Sequence, residues 1–419
     1  MNVKKSEELW KKGNNFIIHG TSLFSRGPRI SIDGFAPKYS SEAQGCYFID
    51  PDGNKFLDYG MGVGSVILGY GALNEAMKKQ LKKGNNLSLL SPLQVELAEK
   101  LRKNIPSCEK LKYLSSGSEV TETAVRIARA FTEKDIIIRD EYHGWMSWCT
   151  PIPGGVPKQY YNLTIKNDSV DSNIENYKKH FDEHGDIACV ILEPTHSQDV
   201  TKSGRTKFLN ELKSLCHRND SLLIFDEVAC GYRFGLGGAQ SFFDVKPDIS
   251  AFGKSVGNGF PLSFVCTSDE IAEKISDDLF VSSTYGGNAF SLRAALETTK
   301  MMEEQDVSKY MNTYGERFKK EINKISKENN MLEYIKITGF PQRLAWGTKD
   351  WDIRSLLFQE FIRRNIFFTW EIKNSYAHRE EDLQKTTKAY QEAINVVNKA
   401  IHEDNIQKYM EGEMIRPIL

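Results

Sequence analysis

A short, wholly apolar run that ends in acid constrains this chain more than any other feature. Leu222-Leu223-Ile224-Phe225 leads directly into Asp226-Glu227-Val228, the pattern of a strand buried on both faces of a parallel sheet, with its carboxylates at the C-terminal end. In open α/β sheets that end is where ligands collect. Lys254 follows 28 residues after Asp226, between Phe252-Gly253 and Ser255-Val256-Gly257-Asn258-Gly259. A lysine partly desolvated beside other cations is neutral often enough to hold a carbonyl as a Schiff base. Asp226 then supplies a fixed anion to keep a pyridinium nitrogen protonated. Together the two point to pyridoxal phosphate. Taken singly, each signal is ordinary: a lysine in a glycine-rich loop is usually solvated, and strand-end acids occur in any α/β protein. A P-loop is excluded, because Asp248 stands where such a loop needs its first glycine.

The rest of the hydrophobic pattern agrees with an α/β fold. Ile136-Ile137-Ile138, Ala188-Cys189-Val190-Ile191-Leu192 and Leu262-Ser263-Phe264-Val265-Cys266 read as further strands, the second of them ending at Glu193, while Gln94–Leu101 and Glu122–Arg129 carry helical spacing. The second helix follows Ser116-Gly117-Ser118, so its positive end would face a phosphate; a serine cap without a ligand is the alternative. After about Met302, Lys, Glu, Asn and Gln dominate, and helices around 308–330 and 381–404 bracket a short sheet. These readings predict a large domain with a mostly parallel sheet over 71–302 and a small C-terminal α+β domain over 303–419. The net charge of −1 leaves no electrostatic footprint for nucleic acid or an anionic membrane. Seven scattered cysteines show no paired spacing for a metal or redox couple, so no metal is expected. The polar N-terminus and the lack of a long apolar run lead us to expect a cytoplasmic protein.

The words around these residues resemble the class III pyridoxal phosphate-dependent aminotransferases. The resemblance rests on Asp226-Glu227-Val228 and on Lys254 in Phe-Gly-Lys-Ser-Val-Gly-Asn-Gly-Phe-Pro. It extends to Tyr47–Tyr59, Ser115-Ser116-Gly117-Ser118-Glu119, Tyr142-His143-Gly144-Trp145, Leu192-Glu193-Pro194 and Ser283-Thr284-Tyr285-Gly286-Gly287-Asn288, in family order along nearly the whole chain. It implies fold type I of the pyridoxal phosphate-dependent transferases, with the N-terminal segment, 1–70, packing on the small domain. It implies that Lys254 forms the Schiff base and moves the proton, and that Asp226 pairs with the pyridine nitrogen. Val228 and Tyr142 would pack on the two ring faces, with His143 beside them, and Ser116, Gly117 and Ser118 would hold the phosphate. Thr284 is similar to the threonine that reaches the same phosphate across a dimer interface, implying a homodimer with shared active sites. Glu193 and Gln198 lie where the family places polar groups near the ring oxygen and the substrate. Without the resemblance, Tyr142-His143 reads as a strand-end aromatic and a surface histidine.

Within the family, Gly62–Tyr70, Ser88–Leu93, Gly154-Gly155-Val156-Pro157-Lys158 and Ser375–Asp382 look like the glutamate-1-semialdehyde aminomutase branch, in which the Gly-Val-Pro-Lys segment lies in a gating loop. An exposed turn is the plainer reading of that segment. Aminomutases of the branch carry tryptophan where this chain has Val63 and histidine where it has Tyr70. Of the branch's opening word only Arg26 survives; it is either a clamp for a substrate carboxylate or a solvated turn residue. Phe340-Pro341-Gln342-Arg343-Leu344 and the chain end resemble aminotransferases of surface-polysaccharide and amino-sugar pathways. The expected reaction is therefore transfer of an amino group from a donor, L-glutamate, to an aldehyde or ketone, with a sugar-like compound as the expected acceptor. Intramolecular transfer by an aminomutase, elimination or decarboxylation on the same scaffold, and a non-catalytic module that has kept the fold stay open.

Overall fold

Six consecutive buried residues in each of Ile187–Leu192 and Leu222–Glu227 set the architecture. Strands with no wet face need cover on both sides and parallel neighbours joined by crossover helices. A computed structural model, describing residues 1–27, 31–167, 173–195, 201–275, 277 and 279–416, has that arrangement. A seven-stranded sheet runs in the order Lys110–Leu114, Ser263–Thr267, Ile249–Phe252, Leu222–Glu227, Ile187–Leu192, Ile136–Arg139, Thr164–Lys166. The pairings from Ile249–Phe252 out to Thr164–Lys166 are parallel, whereas Ser263–Thr267 is antiparallel to both its neighbours. The sheet belongs to a compact unit spanning Leu73–Ser308, and the expected fold type I large domain is observed.

The helix Gly117–Thr132 covers one face of this sheet. Its buried stripe, Val120, Ala124, Val125, Ile127 and Ala128, packs with Ile137, Cys189, Ile191, Ile224, Ala251 and Val265. The helix starts where it does because Ser116 and Glu119 form a capping box. Ser116 Oγ accepts from Glu119 N at 3.3 Å, and Glu119 Oε2 accepts from the N–H groups of Ser115 and Ser116 at 2.9 Å.

A second compact unit comprises Met1–Ala72 and Lys309–Leu419. It holds two small sheets. In one, Glu42–Gln44, Tyr47–Ile49 and Lys55–Asp58 form an antiparallel meander, with Ile366–Phe367 parallel to its last strand. In the other, Ile335–Phe340, Arg343–Thr348 and Glu371–Ile372 are antiparallel. Trp346 fills the core, with the rings of Phe361, Phe368 and Tyr390 at 5.2–5.7 Å. Among the described residues no helix is long and apolar enough to cross a membrane.

Ile191 is fully buried under the Gly117–Thr132 helix. Ile191→Ala is expected to lower stability by about 2–5 kcal/mol, through lost burial plus the cavity left behind, read as a fall in the thermal unfolding midpoint.

Candidate active site

Alternation along a strand sends successive side chains to opposite faces, and this separates the paired acids. Glu227 is fully buried and accepts hydrogen bonds from Gln240 N and Gln240 Nε2, each at 3.1 Å, so it pins the start of the short helix Gly238–Phe243. Asp226 points the other way. Its Oδ1 accepts from Val228 N at 3.0 Å, and its Oδ2 lies 2.8 Å from His143 Nδ1. His143 Nε2 lies 2.6 Å from Asp140 Oδ1, and Asp140 Oδ2 accepts from Glu193 N at 3.2 Å. His143 is 2% exposed and stacks on Trp148, so it is a core residue and not a surface one. Burial alone would depress its imidazole, but Asp140 and Asp226 on either side outweigh that and raise it to about 9.

Val228 sits where three segments meet. A Cβ on Gly117 would come within 2.9 Å of its Cγ1, and one on Gly253 within 3.5 Å. The helix N-terminus and the residue before Lys254 thus both approach the same buried side chain, one residue beyond Glu227 on the acid strand. At the helix N-terminus, geometry leaves the N–H groups of Gly117 and Ser118 without partners inside the helix, free for an anion. Gly144 closes over this turn at φ 119, where a Cβ would meet Ser118 Oγ at 2.5 Å, and Trp145 N donates to Ser118 Oγ at 3.3 Å.

Lys254 opens a 3₁₀ turn, Lys254–Gly257, with φ 45. A non-glycine residue in the left-handed region costs on the order of 1–3 kcal/mol and tends to mark a functional position. Burial depresses its ammonium below the ordinary lysine value; Asp226 opposes that shift, and the cation of the fully buried Arg233 reinforces it. The neighbouring Ser255 Oγ is buried with no hydrogen-bond partner among the described residues.

Lys254, Asp226, Val228, His143 and the Ser116-Gly117-Ser118 turn therefore gather around one place. Tyr142 is 57% exposed, although it adjoins the buried His143, and it lies near enough to Asp226 for that charge to help burial raise its hydroxyl. Glu193 is half-buried, its Oε1 accepting from Thr195 Oγ1 at 2.6 Å. Thr284 is exposed on a turn whose Gly286 and Gly287 pack against Tyr113 and Gln94. Gln198 falls outside the described residues. Arg26 belongs to the other unit, where it is exposed and lies close enough to Asp58 and Tyr70 to influence both. Sequence reading passed over Asp140 and Arg233. Asp140 carried the same signal as Glu193, an acid just past an apolar strand run, but Arg139 before it blurred the pattern.

The residues present fit pyridoxal phosphate: an amine with a lowered proton affinity, a fixed carboxylate, an open helix N-terminus, and a glycine at 117, where a side chain would crowd Val228. Gly144→Ala is expected to displace Ser118 and weaken cofactor uptake by about tenfold or more, through loss of anion contacts, measured by titrating the apoprotein with pyridoxal phosphate.

A profile of the family described as aminotransferase class-III matches residues 35–344. The 3-aminobutyryl-CoA aminotransferase of Cloacimonas acidaminovorans (strain Evry) is 30% identical over 420 residues, covering 96% of this chain and 99% of that protein. Among solved structures, the FumI protein of Sphingopyxis sp. MTA144, determined with pyridoxal phosphate, is similar with a TM-score of 0.88 at 23% identity, over 95% of this chain and 98% of that one. A glutamate-1-semialdehyde aminomutase from Pseudomonas aeruginosa PAO1 is similar with a TM-score of 0.81 at 18% identity, over 94% and 95% of the two chains. At these identities the structural likeness is one of fold, and it extends beyond the aminomutase branch. Profile and full-length relative agree on the wider grouping: the chain belongs to the class III aminotransferase family and is a pyridoxal phosphate-dependent enzyme of amino-group transfer.

Proposed function

We propose that the enzyme takes an amino group from an external donor, L-glutamate, and delivers it to the aldehyde or ketone of a small hydroxylated or sugar-like compound, as in amino-sugar or surface-polysaccharide synthesis. The observation that carries external over intramolecular transfer is the pair of departures from the aminomutase pattern within the Gly62–Tyr70 segment, Val63 and Tyr70. Val63, where the aminomutase branch has tryptophan, is held at φ 60, and a β-branched residue there is an outlier. Tyr70, where that branch has histidine, donates from its hydroxyl to the buried Asp58 at 2.8 Å. Pyridoxal phosphate, when bound, supplies a carbonyl for covalent capture of amines and a ring that withdraws electrons. The chain supplies the rest. Lys254 would be the amine that holds the cofactor and the group that moves a proton, and its lowered proton affinity suits both roles. Asp226 would be the anion for the ring nitrogen, Val228 and Tyr142 would pack on the ring, and the N–H groups of Gly117 and Ser118 would hold the phosphate, with Ser116 beside them. Arg26 is the candidate for a substrate carboxylate.

A homodimer with shared sites is part of this reading. Leu87, Leu89, Leu90, Val95 and Tyr285 are all exposed. They lie along segments tied together around the Thr284 turn, where Asn85 O accepts from Ala289 N at 2.9 Å and a Cβ on Gly287 would meet Gln94. Such an apolar surface supports a second copy of the chain covering it, with Thr284 reaching that copy's phosphate. The seven buried, unpaired cysteines support a reducing, cytoplasmic setting. A second reading draws on the Cloacimonas relative: the amine exchanged with glutamate would sit at the 3-position of an acyl thioester.

Loss of visible absorbance when L-glutamate is added to the cofactor-loaded protein without acceptor is the expected result. Its recovery with keto-sugars supports the leading reading, and its recovery with a 3-oxoacyl thioester the second. A protein indifferent to amino donors but responsive to 4,5-diaminovalerate would overturn both in favour of intramolecular transfer. Lys254→Ala should reduce turnover by at least about 10³-fold while the protein stays folded. Thr284→Ala should weaken cofactor binding by about 2- to 10-fold; unchanged affinity in a sedimenting dimer would sink the shared site.

A further inference from the structure

The C-terminal ends of three adjacent parallel strands, Ile136–Arg139, Ile187–Leu192 and Leu222–Glu227, are laced by one run of hydrogen bonds. It passes from Asp226 Oδ2 to His143 Nδ1, from His143 Nε2 to Asp140 Oδ1, and from Asp140 Oδ2 to Glu193 N, at 2.8, 2.6 and 3.2 Å. Each ring nitrogen of His143 thus faces a carboxylate oxygen. An ionised carboxylate only accepts, so both bonds form together when both nitrogens carry protons. The ring has no freedom to flip out of this arrangement. It is fully enclosed, its centroid stacks 6.2 Å from that of Trp148 at 13°, and Thr121 Oγ1 donates to the His143 carbonyl at 2.7 Å.

We propose that Asp140 is a positioning residue for the cofactor's ring nitrogen: it holds His143 doubly protonated, so that Nδ1–H always donates to Asp226 and that carboxylate is presented in one fixed orientation. The inference rests on the pyridoxal phosphate reading above. Asp226 is then gripped from two sides, by Val228 N and by His143, and Asp140 acts only through the histidine. The other charged or titratable groups lie one step out. Lys254, Tyr142, Cys149 and Cys230 interact with Asp226, and Arg205 and Tyr177 with Asp140. Because His143 is raised in the folded state to about 9 from an ordinary 6.5, the stabilisation it contributes is complete below about pH 6.5 and is lost as pH rises through about 9.

Asp140→Asn removes the distal charge and leaves the side-chain shape. Imidazole ¹⁵N spectra, with the His143 signal identified among the eight histidines by its loss in His143→Gln, read the protonation directly without cofactor. The wild-type ring is expected to stay doubly protonated to about pH 9 and the Asp140→Asn ring to become neutral about two pH units earlier. Pyridoxal phosphate affinity should fall about tenfold in Asp140→Asn at pH 8, and by less than about twofold at pH 6, where both rings are protonated. Equal losses at the two pH values, or a His143 titration unmoved by the substitution, overturn the proposal. Should Asp140→Asn fail to fold, the pH profile of affinity in His143→Gln decides: a flattened profile between pH 6.5 and 9 supports the proposal, and one that follows the wild type refutes it. A wild-type protein that takes up no pyridoxal phosphate at all would instead refute the cofactor reading, leaving the protonation of His143 to be judged from the spectra.

Discussion

A carboxylate at the end of a strand buried on both faces is costly unless donors meet it, and the arrangement of this site follows from how Asp226 finds them. One donor is local, the backbone N–H of Val228 two residues on. The other comes from His143, which in turn is anchored to Asp140 at the end of a strand two places away in the sheet. Without this support Asp226 would be an expensive charge, and with it the carboxylate becomes a fixed anion within electrostatic reach of a lysine whose own charge is disfavoured by burial. The two effects have one origin, the low polarity of the sheet's C-terminal edge, which makes every unpaired charge there costly and every satisfied one strong.

Much of this was legible in the amino-acid order because burial on both faces leaves a one-dimensional trace. Leu222–Phe225 and Ala188–Leu192 are unbroken apolar runs, and both are strands of the parallel sheet. Other strands left no such trace. Lys110–Leu114 alternates polar and apolar residues and pairs on one side only, and Thr164–Lys166 is a three-residue edge strand without a fully buried position. The lysine and strand-end acid could be read from spacing, and the serine-rich turn from its place before a helix. The partner that completes His143 could not, since Asp140 becomes its neighbour through a loop that folds back over the strand end.

Backbone conformation was the least legible layer. Lys254 and Val63 both adopt left-handed φ values that their side chains disfavour, and nothing in residue type announces it. Strain of this kind persists where the surroundings over-determine the chain. At Lys254 those surroundings include the Ile249–Phe252 strand that ends two residues earlier, with Gly253 extended between them. In the other unit, the Gly62–Val63 turn lies just after Asp58, whose Oδ1 accepts from Gly60 N at 2.7 Å and Met61 N at 3.1 Å.

Val228 touches the space of two glycines, Gly117 at the head of the helix and Gly253 before the lysine. A single isopropyl group therefore limits how closely the helix N-terminus approaches the acid strand: a Cβ at Gly117 would press on it at 2.9 Å, whereas one at Gly253 would reach it in ordinary contact at 3.5 Å. Widening that side chain would press first on the helix N-terminus, the anion-binding end, and only lightly on the segment before Lys254. Variation in the length or bulk of ligands accepted by proteins built this way should then be sought away from residue 228, in segments that line the pocket without setting its scale.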